Sequence, residues 1–192
     1  IDFSKAFDTV NHLKLLDQLS LLNFGDNAIK LIQSYLSDRK QYIQSNGSIS
    51  DILDIKSGVP QGSILGPILF NIYSTKLSQN HTSVSYVDDF QIAITGPPSN
   101  INILINSTAE RLEETSVSSS KIDLILNTVK TNFLIICRKT MSNKLPATNI
   151  INFGINQSIN RVSEQKNLGI IFDDKLSFNS HHTYNLKSCY GI

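Results

Sequence analysis

Only two cysteines occur in the 192 residues, Cys137 and Cys189. They are too few for a disulfide framework and lack the paired spacing of a zinc site, so both read as ordinary thiols of a reducing compartment. No apolar run approaches the ~18 residues that a membrane-spanning helix needs, and no secretory leader opens the chain. The expectation is an intracellular protein, nuclear or cytoplasmic, with no membrane partner. The Asn-x-Ser/Thr triplets at Asn46, Asn80, Asn106 and Asn156 are then chance occurrences. Neither sign of charge dominates, since 17 basic and 16 acidic residues leave a formal +1. A whole-surface attraction to nucleic acid is excluded, and any such binding must come from local patches. Internal repeats and charge blocks are absent. What remains is 40% apolar and 17% charged sequence, a composition that can bury a real core. The pattern is already under way at Ile1-Asp2-Phe3, which reads as a fragment.

The most informative feature is Tyr86-Val87-Asp88-Asp89, flanked by the β-branched runs Thr82 to Val87 and Phe90 to Thr95. Two ionised carboxylates about 4 Å apart repel by roughly 4 kcal/mol at an effective dielectric near 20. A tight turn between strands is a place where such a pair can be held against a divalent cation. The competing account is a polar hairpin tip, because Asp is a common turn residue. Asp2 supplies a third carboxylate if Ile1 to Phe3 is a strand beside that hairpin.

Helical spacing of Leu13, Leu16, Leu19 and Leu22 predicts a helix ending near Gly25. A second helix, capped by Asp26 or Asn27, carries Ile29, Ile32, Tyr35 and Leu36. Lys40 to Ser45 and Ser48 to Ile55 alternate around Asn46-Gly47, which predicts a hairpin. Ser57 to Ser63 forms a glycine-rich loop before a buried helix bearing Ile64, Leu65, Ile68, Leu69, Ile72 and Tyr73. A further helix is expected over Ile101 to Glu114 with Asn100 as cap, followed by a serine-rich surface loop from Glu113 to Lys121. Strands are expected at Ile122 to Leu126, Asn132 to Cys137, Ile150 to Phe153 with Ile155, and Leu168 to Phe172. Irregular interleaving of these elements predicts an α+β fold with an antiparallel sheet.

These segments, taken in order, resemble the motifs of reverse transcriptases of non-LTR retrotransposons of the jockey and CR1 type. Asp2 to His12 resembles the first palm motif, and Ser34-Tyr35-Leu36 with Arg39 and Gln41 the connecting segment. Gly58-Val59-Pro60-Gln61-Gly62-Ser63-Ile64-Leu65-Gly66-Pro67 is similar to the second motif. Tyr86-Val87-Asp88-Asp89 stands where the family has its aromatic-x-Asp-Asp turn. Asn127 to Thr131 looks like the Lys-Thr motif, and Asn167-Leu168-Gly169 with Asp173 like the primer-grip region. Any one match is weak, and the ordered set is strong.

The resemblance implies an RNA-directed DNA polymerase, a nucleotidyltransferase, with a right-hand palm whose antiparallel sheet packs on helices. It divides the chain into palm at 1–10, a fingers-type insertion at 11–57, palm with primer grip at 58–178 and the start of a thumb at 179–192. The implied partners are an RNA template, a DNA primer or target, dNTPs and the remainder of the retroelement protein. The implied cofactor is a pair of Mg²⁺ ions about 3.5 to 4 Å apart, with Mn²⁺ as a substitute, held by Asp2 and Asp88 with Asp89 as a weaker partner and the Phe3 carbonyl as a further oxygen. Phe7 would lie under the sugar and exclude a 2′-hydroxyl, or else pack in the core. An RNA-templated RNA polymerase would have no use for such a gate. Asp8 is expected to cap a helix or form a salt bridge. Pro60, Gln61 and Gly62 would approach nucleotide and template, with Tyr86 beside them. Lys130 would be a cation or general acid at the pyrophosphate, or a solvated side chain. Leu168 and Gly169 would press on the primer end, or form a buried strand. His181-His182 is assigned no metal. The family's earlier fingers, endonuclease and the tryptophan common near 110–121 have no counterpart here, so a catalytically inactive remnant is the alternative reading.

Overall fold

The side chain of Asn11 accepts the Lys14 N–H (3.2 Å), satisfying an amide that a helix start leaves without a partner. Helix α1 (His12–Leu21) follows, with Leu15, Gln18 and Leu19 buried at three- and four-residue spacing. The structure, a computed structural model, describes residues 1–77, 83–138, 140–141 and 145–191. Thr82 of the expected strand and the triplet at Asn80 lie outside the described residues. The fold is mixed α+β with small sheets, and the chain forms two compact units. One comprises Phe3–Asn80 and Val117–Ile125, the other Ile1–Asp2, His81–Ser116 and Leu126–Ile192.

In the first unit α2 (Asp26–Leu36) and α3 (Leu65–Ser74) join α1. Gly25, rather than Asp26 or Asn27, is the N-cap of α2, and Asp26 stands in the first turn, where the helix dipole favours its charge. The expected hairpin forms around Asn46-Gly47: β2 (Gln44–Ser45) pairs with β3 (Ser48–Ile49), and β1 (Lys40–Gln41) with β4 (Leu53–Asp54). The register shifts by one residue between the two pairs. Ser50 fills that bulge, its hydroxyl accepting the Ile43 N–H (2.8 Å) and its amide donating to the Ile43 carbonyl (2.9 Å). Gly58 lies against the opening segment so closely that a Cβ would stand 2.9 Å from the Asp8 Cα, and its φ of +90° suits glycine. Ser63 Oγ accepts the Gly66 N–H (2.9 Å) at the head of α3, whose Phe70 and Tyr73 are almost wholly buried. The Tyr73 hydroxyl donates to the Ile122 carbonyl and accepts the Asn11 N–H (3.3 Å).

In the second unit β5 (Ser83–Tyr86) and β6 (Asp89–Ile92) form the acidic hairpin with Val87-Asp88 as its two-residue turn. β7 (Asn132–Phe133), β9 (Gln157–Arg161) and β8 (Ile150–Phe153) make a mixed sheet in that order, β7 parallel and β8 antiparallel to β9. β10 (Glu164–Asn167) and β11 (Ile170–Asp173) make a second hairpin, followed by α5 (Asn179–Tyr190). Ile151, Phe153 and Ile159 form the core of the mixed sheet.

Several expectations are corrected. The serine-rich loop is helix: α4 (Ile101–Lys121) runs unbroken through it. Leu112, Thr115 and Ser119 are buried at helical spacing, so tertiary packing overrides the mediocre helix propensity of serine. Ile122 to Leu126 is not a strand. The Ile122, Asp123 and Leu124 amides fold back onto the Ser119, Ser120 and Ser119 carbonyls (3.0, 3.1 and 3.0 Å), with Asp123 at φ 58°, so this stretch begins as the end of α4. Of Asn132 to Cys137 only the first two residues pair, and Ile155 sits in a turn, 90% exposed. Leu168-Gly169 is the β10–β11 turn rather than strand, both residues at positive φ (45° and 86°).

Candidate functional site

Ile1 and Phe90 exchange backbone hydrogen bonds: the Ile1 nitrogen donates to the Phe90 carbonyl (2.7 Å) and the Phe90 N–H to the Ile1 carbonyl (3.3 Å). Reciprocal bonding is the mark of directly opposed residues in an antiparallel ladder, so the next position along sets Asp2 beside Asp89. Asp2 is pinned from its other side. Its N–H donates to Thr131 Oγ1 (3.1 Å) and its carbonyl accepts the Asn127 N–H (2.9 Å). Asn127 in turn organises the Lys-Thr segment, its side chain accepting the Lys130 N–H (3.2 Å) and its carbonyl the Thr131 N–H (2.9 Å).

Asp2 is half-buried and Asp89 exposed. Asp2, Asp89 and Lys130 line one cavity of about 750 Å³, with Gln165, Lys166 and Asn167 also on its wall. Asp88 stands exposed on the turn and does not line it. Val87, at φ 57°, holds a backbone region that a β-branched residue rarely adopts.

Among the described residues no three His, Cys, Asp or Glu side chains are grouped as ligands of one metal ion. The donor set nonetheless suits a hard cation. Among the described residues the carboxylates of Asp2, Asp88 and Asp89 accept no hydrogen bond and join no ion pair, which leaves their lone pairs free. Magnesium takes oxygen ligands and keeps several waters or phosphate oxygens, so two protein carboxylates are compatible with it.

The other expected site residues fall in two places. In the first unit Phe3 is buried, and Phe7 is stacked on Phe70 with ring centroids 5.1 Å apart. Pro60 is half-buried and Gly62 exposed, while the Gln61 amide donates to Asp8 Oδ1 (2.8 Å). That bond replaces the helix-capping or salt-bridge role expected of Asp8, because Asn11 already caps α1. In the second unit Tyr86 is 63% exposed and pairs across the turn with Asp89, and Leu168 and Gly169 form an exposed turn. Two functional features escaped sequence reasoning. Thr131 fastens Asp2, and the Gln91 amide donates to Asn167 Oδ1 (2.9 Å), tying the acidic hairpin to the residue before Leu168. Thr131 and Asn167 each fall inside a matched motif, which marked their segments but not these bonds, and Gln91 carried no signal.

A carboxylate on an edge segment beside an acid-tipped hairpin, with a lysine on the same cavity, is an arrangement suited to a hard divalent cation and its anionic ligands. Comparison with known proteins agrees: residues 1–172 match the model of the family described as reverse transcriptase (RNA-dependent DNA polymerase), and this chain belongs to that family. It is 31% identical over 189 residues to the RNA-directed DNA polymerase from mobile element jockey of Drosophila funebris, covering 95% of this chain and 20% of that protein. It is 29% identical over 201 residues to the probable RNA-directed DNA polymerase from transposon BS of Drosophila melanogaster, covering 99% and 21%. A shorter match, 35% over 77 residues, covers 40% of this chain and 13% of the Pol polyprotein from type-1 retrotransposable element R2 of Popillia japonica. The chain thus spans about a fifth of the length of the curated jockey and BS relatives. Among the described residues no helix is long and apolar enough to cross a membrane.

Proposed function

We propose that this chain is the palm, with part of the fingers, of an RNA-directed DNA polymerase of a non-LTR retroelement, extending a DNA primer on an RNA template with dNTPs. The observation that carries this is the reciprocal bonding of Ile1 with Phe90, which by antiparallel register sets Asp2 beside Asp89, both on the cavity that Lys130 also lines. Asp2, Asp88 and Asp89 would hold Mg²⁺, with the Phe3 carbonyl as a further oxygen. A metal held there would lower the pKa of the primer 3′-hydroxyl and offset triphosphate charge. Thr131 and Asn127 keep Asp2 in place, and Lys130 presents a cation to the leaving pyrophosphate. Phe7, backed by Phe70, offers a rigid ring to the sugar, Gln61 and Pro60 with Gly62 shape the nucleotide side, and Tyr86 flanks the acids. The Leu168-Gly169 turn is the primer contact. On this reading 11–57 is a fingers-type insertion, 58–178 continues the palm begun at 1–10, and 179–192 opens the thumb.

Primer extension by the polymerase that carries this sequence tests the assignment. Asp2→Asn and Asp88→Asn should each lower kcat by about a hundredfold or more without moving Tm, and Mn²⁺ should support the wild type. Retained activity in either variant would sink the metal assignment. The alternative, an inactive remnant, draws on Asp88, which stands exposed on the turn and does not line the cavity that Asp2 and Asp89 share. No extension by wild type with either metal, in a protein shown to be folded, would establish that alternative.

A further inference from the structure

Asp173 ends β11 as a buried residue, 8% exposed, and the reading above gives its carboxylate no role. Oδ1 accepts the N–H groups of Lys175 and Ser177 (both 3.0 Å), and Oδ2 accepts the Phe178 N–H (2.7 Å) and the Ser177 hydroxyl (3.2 Å). The loop so gathered is one the backbone would not choose unaided: Leu176 and Phe178 lie at φ 53° and 58°. Phe178 is the N-cap position of α5 and has no side-chain cap of its own; the Asp173 carboxylate instead takes the Phe178 N–H and the amides of the loop before it, fixing the turn from which the helix starts.

Further ties join the same two elements. Phe172 meets Phe178 edge-on with centroids 5.7 Å apart, and the Ser180 hydroxyl donates to Glu164 (2.6 Å). Lys166 donates to the Tyr184 hydroxyl (3.0 Å) with its ammonium 4.3 Å from the ring centroid. The far end of this hairpin is the Leu168-Gly169 turn, next to Asn167 and its bond to Gln91. One hairpin therefore has its tip bonded toward the acidic strand and its base bonded to α5.

We propose that Asp173 is a positioning residue for primer handling, fixing α5 to the β10–β11 hairpin so that the Leu168-Gly169 turn and the helix meet the primer as one rigid piece. The primer role rests on the polymerase reading; the anchoring role does not. Asparagine at 173 keeps one acceptor but turns an N–H₂ toward amides that need an oxygen, and Ser177→Ala removes a single bond.

Amide exchange on the full chain tests the anchor. Asp173→Asn should speed exchange at Lys175, Ser177, Phe178 and the first turn of α5 by about tenfold or more, and Ser177→Ala by less, while Ile151 and Ile159 keep their protection. Unchanged exchange in α5, or acceleration by one common factor everywhere, would overturn it. Primer extension tests the coupling: Asp173→Asn should raise KM for primer–template several-fold, with kcat and the dNTP KM held within about twofold. A fall in kcat with primer KM unmoved would overturn the primer role. Should wild type extend no primer at all, the polymerase reading and the primer role fall together, and the exchange experiment still decides the anchor.

Discussion

Thr131 shows how a single hydroxyl can govern a carboxylate it never touches. It is 1% exposed and accepts the backbone N–H of Asp2, so Thr131→Val, equal in shape, would leave that amide without a partner. The expected cost is about 1–3 kcal/mol in urea unfolding, with kcat lowered as well, whereas Thr131→Ser keeps the acceptor and should restore both. If Thr131→Val unfolds at the wild-type urea concentration, Asp2 is held by something else. Asp173 gives a pH signature of opposite logic. Its carboxyl is held below the usual range first by the Ser177 N–H and then by Phe178 and Lys175, against burial, which raises it. A carboxylate depressed in the folded state stabilises above its unfolded value, about 3.9, and that contribution drains away as pH falls through the folded value. Glu164, Asp174 and Lys175 are the neighbouring charged groups on the small cleft beside it. Protection of α5 amides should therefore stay flat from neutral pH down to about 4 and drop below that, and the drop should vanish in Asp173→Asn.

Among the elements, legibility followed how much of each signal is local. The Asn46-Gly47 hairpin, α1 and α3 were readable because turn chemistry or an apolar period sits within the element itself. β9 and β10 were not: Gln157–Arg161 buries only Ile159, and Glu164–Asn167 buries nothing, so backbone pairing alone makes them strands. The same holds for the site. Asp2, Asp88, Asp89 and Lys130 were visible as unusual charges in a familiar order, while Thr131, Gln91 and Asn167 act through bonds that only the fold creates. The latter half of α4 is the sharpest case, since serine looks like loop until Thr115 and Ser119 are found buried. That reversal is testable at Ser118, mid-helix on this structure. Ser118→Pro should cost about 3 kcal/mol and lower the helical circular dichroism, while Ser118→Ala should be neutral or stabilise by up to about 0.5 kcal/mol. A loop at this position would tolerate the proline.

At the scale of the whole molecule, a formal charge of +1 means that no general field draws nucleic acid in, and affinity must come from a few placed cations. Lys130 lines the cavity with Asp2 and Asp89, Lys166 lines it from β10, and Lys175 and Lys187 stand exposed in and after the loop that Asp173 orders. Each phosphate neutralised by such a group releases counterions and adds about −0.7 to −0.9 to the slope of log K against log salt. A primer–template bound by these four lysines should accordingly give a slope no steeper than about −4 in a KCl titration followed by anisotropy. Lys130→Ala should make it shallower by about one, at little cost in stability, because the side chain is exposed and unpaired among the described residues. A slope near −8 that Lys130→Ala leaves unmoved would mean that nucleic acid lies on another surface altogether, and would separate the acidic hairpin from the strand it is proposed to extend.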